Sequence, residues 1–421
     1  MKIHLINTGS ELTLGRILNT HLQWLGRRLA DLGRPLDYQT TVPDSAPAIK
    51  QAVLEAIPRA DLIIATGGLG PTSDDITRDK IAALFAMPLE LDPAALANIE
   101  RFFAARGRPL PANTRIQAMV PRGATVLPNA HGTAPGLAIP VPAFLRGGST
   151  RSAWLIMLPG PPRELYPMFD VQVVPLLDRE FPLEHPFTSL TLKTTGLGES
   201  LVEERIAPAL RALTALGLEI GYCARMGEVD VRLSASGDKA PALIAAGERV
   251  VRESIASHIY GTGDETLEGT LVRLLMERHE TLAVAESCTG GLIGHRLTNV
   301  PGASKVLLAD LVTYSNEAKM SMLGVRRETL EAHGAVSKET AIEMAEGARR
   351  ATGATHSIAV TGIAGPSGGT QEKPVGTVYV AVTTPAETSA KRFFNPVERE
   401  TFKLMASNQA LNLLRVKLPQ R

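Results

Sequence analysis

A chain of 421 residues is too long for one hydrophobic core and predicts two or three domains; its 44% hydrophobic and 21% charged residues are those of an ordinary globular protein. The 44 basic residues balance 43 acidic ones, no apolar run reaches membrane-spanning length, and the N-terminus lacks a signal-peptide pattern, so neither nucleic acid nor membrane is an expected partner. Two cysteines, Cys223 and Cys288, exclude a disulfide framework and a multi-cysteine zinc site, and the sequence reads as cytoplasmic.

In chain order, a strand is predicted at 2–6, followed by a helix near 16–32. Its apolar positions Ile17, Leu18, Leu22, Leu25, Leu29 and Leu32 lie near one face, and Gly33 sits where a C-terminal cap is wanted. Asp44 or Ser45 can cap a second helix with Pro47 in its first turn. A buried strand at 61–66 runs into Gly67-Gly68, and a core strand at 153–158 follows a Pro- and Gly-rich surface loop at 139–150. This alternation predicts a parallel sheet with helices on both faces. Residues 172–253 change character: 188–194 and 228–235 alternate like strands and 239–256 reads as a helix, making a small α+β unit. Residues 257–264, with Gly261 and Gly263, are the linker candidate. Beyond it the alternation restarts as helix 266–279, strand 281–285, helix 290–298, strand 306–314, helix 337–350, strands 356–361 and 376–383, and helix 399–416. The string at 64–71 resembles that at 359–366; both are strands that run into glycine-rich loops.

Glycines at the carboxyl ends of parallel strands let backbone N–H groups approach phosphate oxygens, although structural turns use the same residues. In the first such loop Gly67, Gly68 and Gly70 are followed by Thr72, Asp74 and Asp75. Two adjacent carboxylates beside a phosphate cradle can hold Mg²⁺; the alternative is that one of them merely caps the helix at 76–86. Glu11, in Gly9-Ser10-Glu11-Leu12, falls on the same sheet edge or is a surface acid at a helix entry. Glu164, in the proline-stiffened loop at 159–164, caps a helix or faces the pocket. Asn113, Arg115 and Gln117 could contact a nucleotide or lie on the surface.

Further on, the strand at 281–285 ends in Glu286-Ser287-Cys288-Thr289-Gly290-Gly291 ahead of an apolar helix. A hydroxyl at a sharp strand-to-helix turn faces the donor end of a helix, where oxyanion charge is favoured; Ser287 or Thr289 could instead be only an N-cap. Cys288 competes as nucleophile, but its side chain should point away from that of Ser287, and a small buried hydrophobe is its commoner fate. No histidine of this half, among His295, His333 and His356, is placed like a base. Lys319, in the polar cluster at 313–319, acts as base only if burial or neighbouring positive charge depresses its pKa, with Tyr314 as a proton relay; otherwise it is a solvated helix-start lysine.

Together these strings resemble the CinA family (competence/damage-inducible protein A) over essentially the whole chain, through residues 9–15, 67–75, 159–164, 285–291, 314–319 and 361–366. The resemblance implies an α/β fold: an N-terminal three-layer α/β/α molybdopterin-binding-like domain at 1–171, a small α+β middle domain at 172–256, a linker at 257–264 and a C-terminal three-layer α/β amidase domain at 265–421. For the N-terminal domain it implies ADP-ribose pyrophosphatase activity, with Gly9, Glu11, Gly67, Gly68, Gly70, Thr72, Asn113 and Glu164 at the substrate. Asp74 and Asp75 would ligate a divalent cation (magnesium or similar, with or without potassium). For the C-terminal domain it implies a cofactor-free nicotinamide-nucleotide amidase converting nicotinamide mononucleotide to nicotinate mononucleotide and ammonia. Ser287, Tyr314, Lys319 and Thr361 would be catalytic there, with backbone N–H groups after Ser287 and the Thr361 hydroxyl at the oxyanion. Thr289, Gly290, Gly362, Ile363, Ala364, Gly365 and Arg399 would bind substrate. A homodimer is also implied.

Two departures stand out. The family's Gly-Asp-Arg before the last helix is replaced by Asn395-Pro396-Val397-Glu398-Arg399, an apparent one-residue insertion, and Thr114 stands beside Asn113 where a second asparagine is usual. The rival reading makes the N-terminal domain a non-catalytic nucleotide- or pterin-binding module of a competence- or damage-related protein.

Overall fold

The run Ile3–Thr8 (β1) is buried at every position, which requires cover on both faces. In the computed structural model, which describes residues 1–146 and 153–418, it belongs to a first unit, Met1–Thr188. That unit adds β2 (Tyr38–Val42), β3 (Leu62–Thr66), β4 (Leu89–Leu91), β5 (Met119–Pro121), β6 (Thr125–Leu127), β7 (Gly136–Pro140) and β8 (Trp154–Leu158). The main sheet is ordered β2-β1-β3-β8-β7-β6, with the first four strands parallel and the last two antiparallel; β4 and β5 pair apart from it.

Its helices are α1 (Ser10–Thr13), α2 (Thr20–Asp31), α3 (Ala46–Ala56), α4 (Thr77–Leu84), α5 (Pro93–Ala104), α6 (Pro162–Met168) and α7 (Val174–Glu180). Strand alternation divides the core between two faces. Ile6, Ile63, Ala65 and Met157 meet Val53 of α3 and Ile81 of α4, while Leu5, Ile64 and Ile156 meet Leu25 and Leu29 of α2 and Leu177 of α7. This is the expected three-layer α/β/α arrangement.

Local signals operate as read at two helix ends. Ser45 accepts from Ala48 N–H with Pro47 in the first turn of α3, and Gly33 (φ 72°) follows the end of α2. Helix α2 starts later than expected because Asn19 caps it by accepting from Leu22 N–H, which leaves Ile17 and Leu18 exposed ahead of it. Ile139 and Pro140 end β7 rather than opening a loop, and residues 147–150 of that expected loop lie outside the described residues. Val173, Leu176 and Leu177 pack in the first unit's core, so the boundary expected at 171/172 falls after α7.

The second unit opens with β9 (Phe187–Thr195), α8 (Glu199–Thr214), β10 (Glu219–Arg225), β11 (Glu228–Ser236), α9 (Ala240–Ile255) and β12 (Ile259–Thr262), in sheet order β10-β11-β9-β12. The segment expected as a linker is therefore a strand: β12 pairs antiparallel with β9, and Tyr260 is buried. The chain continues through α10 (Leu267–Arg278), β13 (Leu282–Glu286), α11 (Leu292–Thr298), β14 (Leu307–Val312), α12 (Asn316–Leu323), α13 (Arg327–His333), α14 (Lys338–Thr352), β15 (His356–Gly362), β16 (Thr377–Thr383), β17 (Thr388–Phe394) and α15 (Arg399–Lys417).

Here the order is β14-β13-β15-β16-β17; β13 is parallel to both neighbours, and β16 and β17 are added antiparallel. Leu282, Val284, Ile358 and Val360 pack with Leu271 of α10, Ile293 of α11 and Phe402 of α15. The opposite face is lined by Ala283, Ala285 and Ala359, small enough for α14 to lie close through Ala341, Met344 and Ala345. No described helix is long and apolar enough to cross a membrane.

Candidate functional site

Side-chain parity along β13 decides where the turn after it points. Glu286 shares the face of Leu282 and Val284, toward α11, whereas Ser287 shares the face of Ala283 and Ala285, toward α12. Ser287 N–H donates to Val360 O at 3.0 Å, holding the residue in register with β15 one step beyond the strand. Its Oγ lies 3.1 Å from Lys319 Nζ. Lys319 is 1% exposed, and its amine also donates to the carbonyl oxygens of Thr313 (2.9 Å) and Tyr314 (3.2 Å). Among the described residues no carboxylate pairs with this amine, and burial pushes its pKa below the ordinary lysine value.

Cys288, next in the chain, points the other way. It is 5% exposed among Ile293 and Phe402, and burial pushes its thiol up to about 12, so its side chain is packing.

The backbone donors of this turn are already divided. Gly291 N–H and Gly294 N–H donate to the Glu286 carboxylate at 3.0 and 2.9 Å, and Gly290 N–H donates to Ser287 O at 3.2 Å. Among the described hydrogen bonds, the N–H groups of Cys288 and Thr289 donate to no other residue. Thr289 is fully buried, and among the described residues its hydroxyl has no partner.

Tyr314 is placed differently from expectation. It is 61% exposed, its phenol oxygen accepts from Arg399 at 2.9 Å, and only its backbone carbonyl meets Lys319. Because Lys319 reaches Ser287 directly, a phenolic relay has no gap to bridge. Thr361 is likewise redirected: its hydroxyl donates to Ala335 O at 2.7 Å, so its proton is not free for an oxyanion.

The loop after β15 is shaped by close packing. A Cβ on Gly365 (φ 75°) would fall 2.5 Å from a Val375 methyl, and one on Gly362 would fall 2.9 Å from Thr377 O. Ile363 spends its N–H on Thr377 O and its carbonyl on Gly376 N–H; the N–H groups of Ala364 and Gly365 donate to no other residue among the described bonds. Arg399, in the first turn of α15, reaches this loop by donating to Gly365 O at 2.9 Å. The unusual segment before it ends in Glu398, which caps α15 by accepting from Glu400 and Thr401 N–H.

Lys403 escaped the sequence reading. Its Nζ lies 3.8 Å from where a Cβ on Gly290 would sit, so Arg399 and Lys403 together border both glycine loops. The spacing of four along a helix was the available signal.

In the first unit, the loop after β3 is held from within. A Cβ on Gly68 would fall 2.0 Å from the Thr77 hydroxyl, and one on Gly70 would fall 2.2 Å from Asp75 Oδ2. Gly67 (φ 94°) is also left-handed. Asp75 Oδ2 accepts from both the N–H and the hydroxyl of Thr72, and Gln117 and Asn113 donate to Leu69 O and Pro71 O at 3.3 and 3.4 Å. Helix α4 has no side-chain cap, so neither aspartate plays that part. Asp74 stands exposed and competes with Asp75 for the single Thr72 hydroxyl proton, which together with its own N–H holds its carboxyl below the usual range.

Glu11 is exposed in α1 and folds back toward Gly9. Glu164 is buried, accepts from Asn129 Nδ2 at 2.8 Å and packs against Gly132, where it braces its own domain. Arg115 is exposed near Glu100. Among the described residues, no three His, Cys, Asp or Glu side chains form a metal cluster. Mg²⁺ bound through substrate phosphates needs only one or two carboxylates, which Asp74 and the remaining oxygen of Asp75 can supply.

Three family models match the chain: the CinA C-terminal domain over residues 264–418, a probable molybdopterin binding domain over 4–179, and the damage-inducible protein CinA KH domain over 189–261. A protein of Moorella thermoacetica named for competence-damage inducibility is 45% identical over 98% of this chain and 98% of its own length. A CinA-like protein of Kosmotoga olearia is 42% identical over 99% of this chain and 98% of its own. The solved competence/damage inducible protein CihA of Agrobacterium tumefaciens is 40% identical, covering 37% of this chain and 98% of its own, with a TM-score of 0.35.

Proposed function

This chain belongs to the CinA family, and from that premise we propose that its C-terminal site deamidates nicotinamide mononucleotide to nicotinate mononucleotide and ammonia. The observation that carries the reading is the 3.1 Å approach of a buried lysine amine to the Ser287 hydroxyl. A neutral amine has two N–H bonds and one lone pair. The carbonyls of Thr313 and Tyr314 occupy the two N–H bonds, which leaves the lone pair for the Ser287 proton.

Ser287 Oγ then attacks the carboxamide carbon, and its proton passes to Lys319. The oxyanion takes the N–H groups of Cys288 and Thr289, and donors of this kind lower the barrier by roughly 3–4 kcal/mol each. Lys319 returns the proton to the nitrogen as the C–N bond breaks and ammonia leaves. Water, deprotonated by the same amine, cleaves the acyl-serine. Arg399, Lys403 and the N–H groups of Ala364 and Gly365 suit the 5′-phosphate. The near-neutral net charge supports a small nucleotide substrate over nucleic acid or an anionic membrane.

The first unit's loop supports a second reading, binding and hydrolysis of the ADP-ribose pyrophosphate. Asp74 and Asp75 would hold a divalent cation that neutralises the pyrophosphate charge, and Gly67, Gly68 and Gly70 let backbone approach the phosphates. Without turnover, the same loop serves a nucleotide- or pterin-binding module.

Incubation of the purified chain with nicotinamide mononucleotide, with ammonia and nicotinate mononucleotide both quantified, tests the main reading. Stoichiometric release by the native chain and none by Ser287→Ala is expected. Absence of both products from native protein removes the amidase reading.

A further inference from the structure

Two carboxyl groups meet beneath the nucleophile turn, on the α11 face. Glu286 is fully buried and accepts from Gly291 N–H through one oxygen and from Gly294 N–H through the other. Asp310 of β14, in register with Val284, brings its carboxyl against the same Gly294 whose N–H Glu286 accepts. A Cβ on Gly294 would fall 2.1 Å from Asp310 Oδ2, so the aspartate is seated where only glycine leaves room on α11. Among the described residues, the buried Asp310 Oδ1 has no hydrogen-bond partner.

Two neighbouring carboxyls, Glu286 fully buried and Asp310 half-buried, do not both ionise cheaply. Burial, followed by the charge of Glu286 and the hydrogen bond to it, pushes Asp310 up to about 7. Asp310 thus holds its proton more tightly than an ordinary aspartate does.

The connectivity gives this pair mechanical leverage. Glu286 is covalently joined to Ser287, while its carboxylate grips Gly291 and Gly294. Residues 287–291 are thereby closed into a ring with Cys288 and Thr289 at its apex. Gly290 and Gly291 are both left-handed, and α11 has seven residues, so neither the loop nor the helix is stiff by itself. We propose that the Asp310–Glu286 hydrogen bond is a clamp that positions the Cys288 and Thr289 N–H groups as an oxyanion hole. The inference rests on the amidase reading and names positioning residues for it.

The test uses the full-length chain and two readouts. Nicotinamide mononucleotide turnover gives kcat and KM. Sulfonylation by phenylmethanesulfonyl fluoride, followed by mass spectrometry, reports the same turn without the nucleotide: the Ser287 Oγ–S bond forms, S–F breaks, fluoride leaves and Lys319 takes the proton. Asp310→Ala should lower kcat and the labelling rate at least about tenfold with KM within about threefold, the direction expected of a displaced oxyanion donor. Asp310→Asn, whose amide still donates to Glu286, should restore both rates to within about threefold of native. If Asp310→Ala does not fold, Gly294→Ala, which drives a methyl into the Asp310 seat, should show the same kcat loss.

Normal kcat in the folded variant, equal losses in the alanine and asparagine variants, or a loss confined to KM would overturn the clamp. Labelling that follows the predicted order in a native chain inert toward nicotinamide mononucleotide would uphold the clamp and remove the substrate assignment.

Discussion

Lys319 Nζ and Ser287 Oγ lie 3.1 Å apart across 32 residues of chain, and the amine's other two partners are backbone carbonyls rather than carboxylates. A buried amine so placed is a base whose charged form is disfavoured, and this has consequences for both activity and stability.

Lys319→Met should lower deamidation at least about a hundredfold, the usual scale of a lost acid–base group. Burial holds the folded-state pKa of Lys319 below its ordinary 10.5, so between that depressed value and 10.5 the unfolded chain binds more protons than the folded one. Native stability therefore gains from this group as pH rises from the depressed value toward 10.5. The variant's Tm relative to native should fall across that range. Normal turnover would sink the serine–lysine mechanism, and a pH-independent Tm difference would contradict the depressed pKa.

Ser287→Ala should abolish turnover, whereas Cys288→Ala should stay within about tenfold of native, losing on the order of 1 kcal/mol of stability from a small cavity. Thiol alkylation of the folded chain should inhibit little. The reverse pattern in steady-state assays would move the nucleophile by one residue.

Arg399→Met and Lys403→Met should each raise KM roughly tenfold or more while changing kcat less, as expected for lost charge-assisted contacts to a phosphate. Tyr314→Phe should leave kcat within about threefold, because the phenol faces Arg399 and lies off the proton path. A hundredfold drop in kcat for Tyr314→Phe would put the relay back.

The two proposed activities should separate by metal. EDTA should abolish any ADP-ribose hydrolysis by the full chain, and added divalent cation should restore it, while deamidation continues in EDTA. Asp74→Asn should weaken the hydrolysis through cation affinity. Asp75→Asn should also loosen the loop held on Thr72, readable as faster proteolysis there. Deamidation that stops in EDTA would overturn the metal-free amidase site.

A fragment spanning residues 264–421 should retain deamidation but melt below the full chain. Arg415, buried in α15, donates to Ser257 O and Ile259 O at 2.6 and 3.0 Å, and both acceptors precede the cut. An equal or higher Tm for the fragment would show that these bonds contribute nothing.

Elements whose apolar period is strong and local were legible from residues alone. The buried runs of β1, β3 and β13 and the helix α9 needed no partner to be recognised, and the turns after β3 and β13 stood out through their glycines. The edge strand β17 carries Lys391 and Arg392, and β12 carries Gly261. Both are strands because neighbouring strands offer pairing that no short-range pattern announces.

For the sites, residue types near the turns were enough to nominate Ser287, Lys319 and the aspartates, since chemistry limits which side chains can serve. Their partners were decided only by tertiary structure. Strand parity and helix placement sent Cys288 into the core, Thr361 to Ala335, the Tyr314 phenol to Arg399 and Asp310 to Glu286. Side-chain direction depends on what packs against each face, and those contacts join segments far apart in the chain.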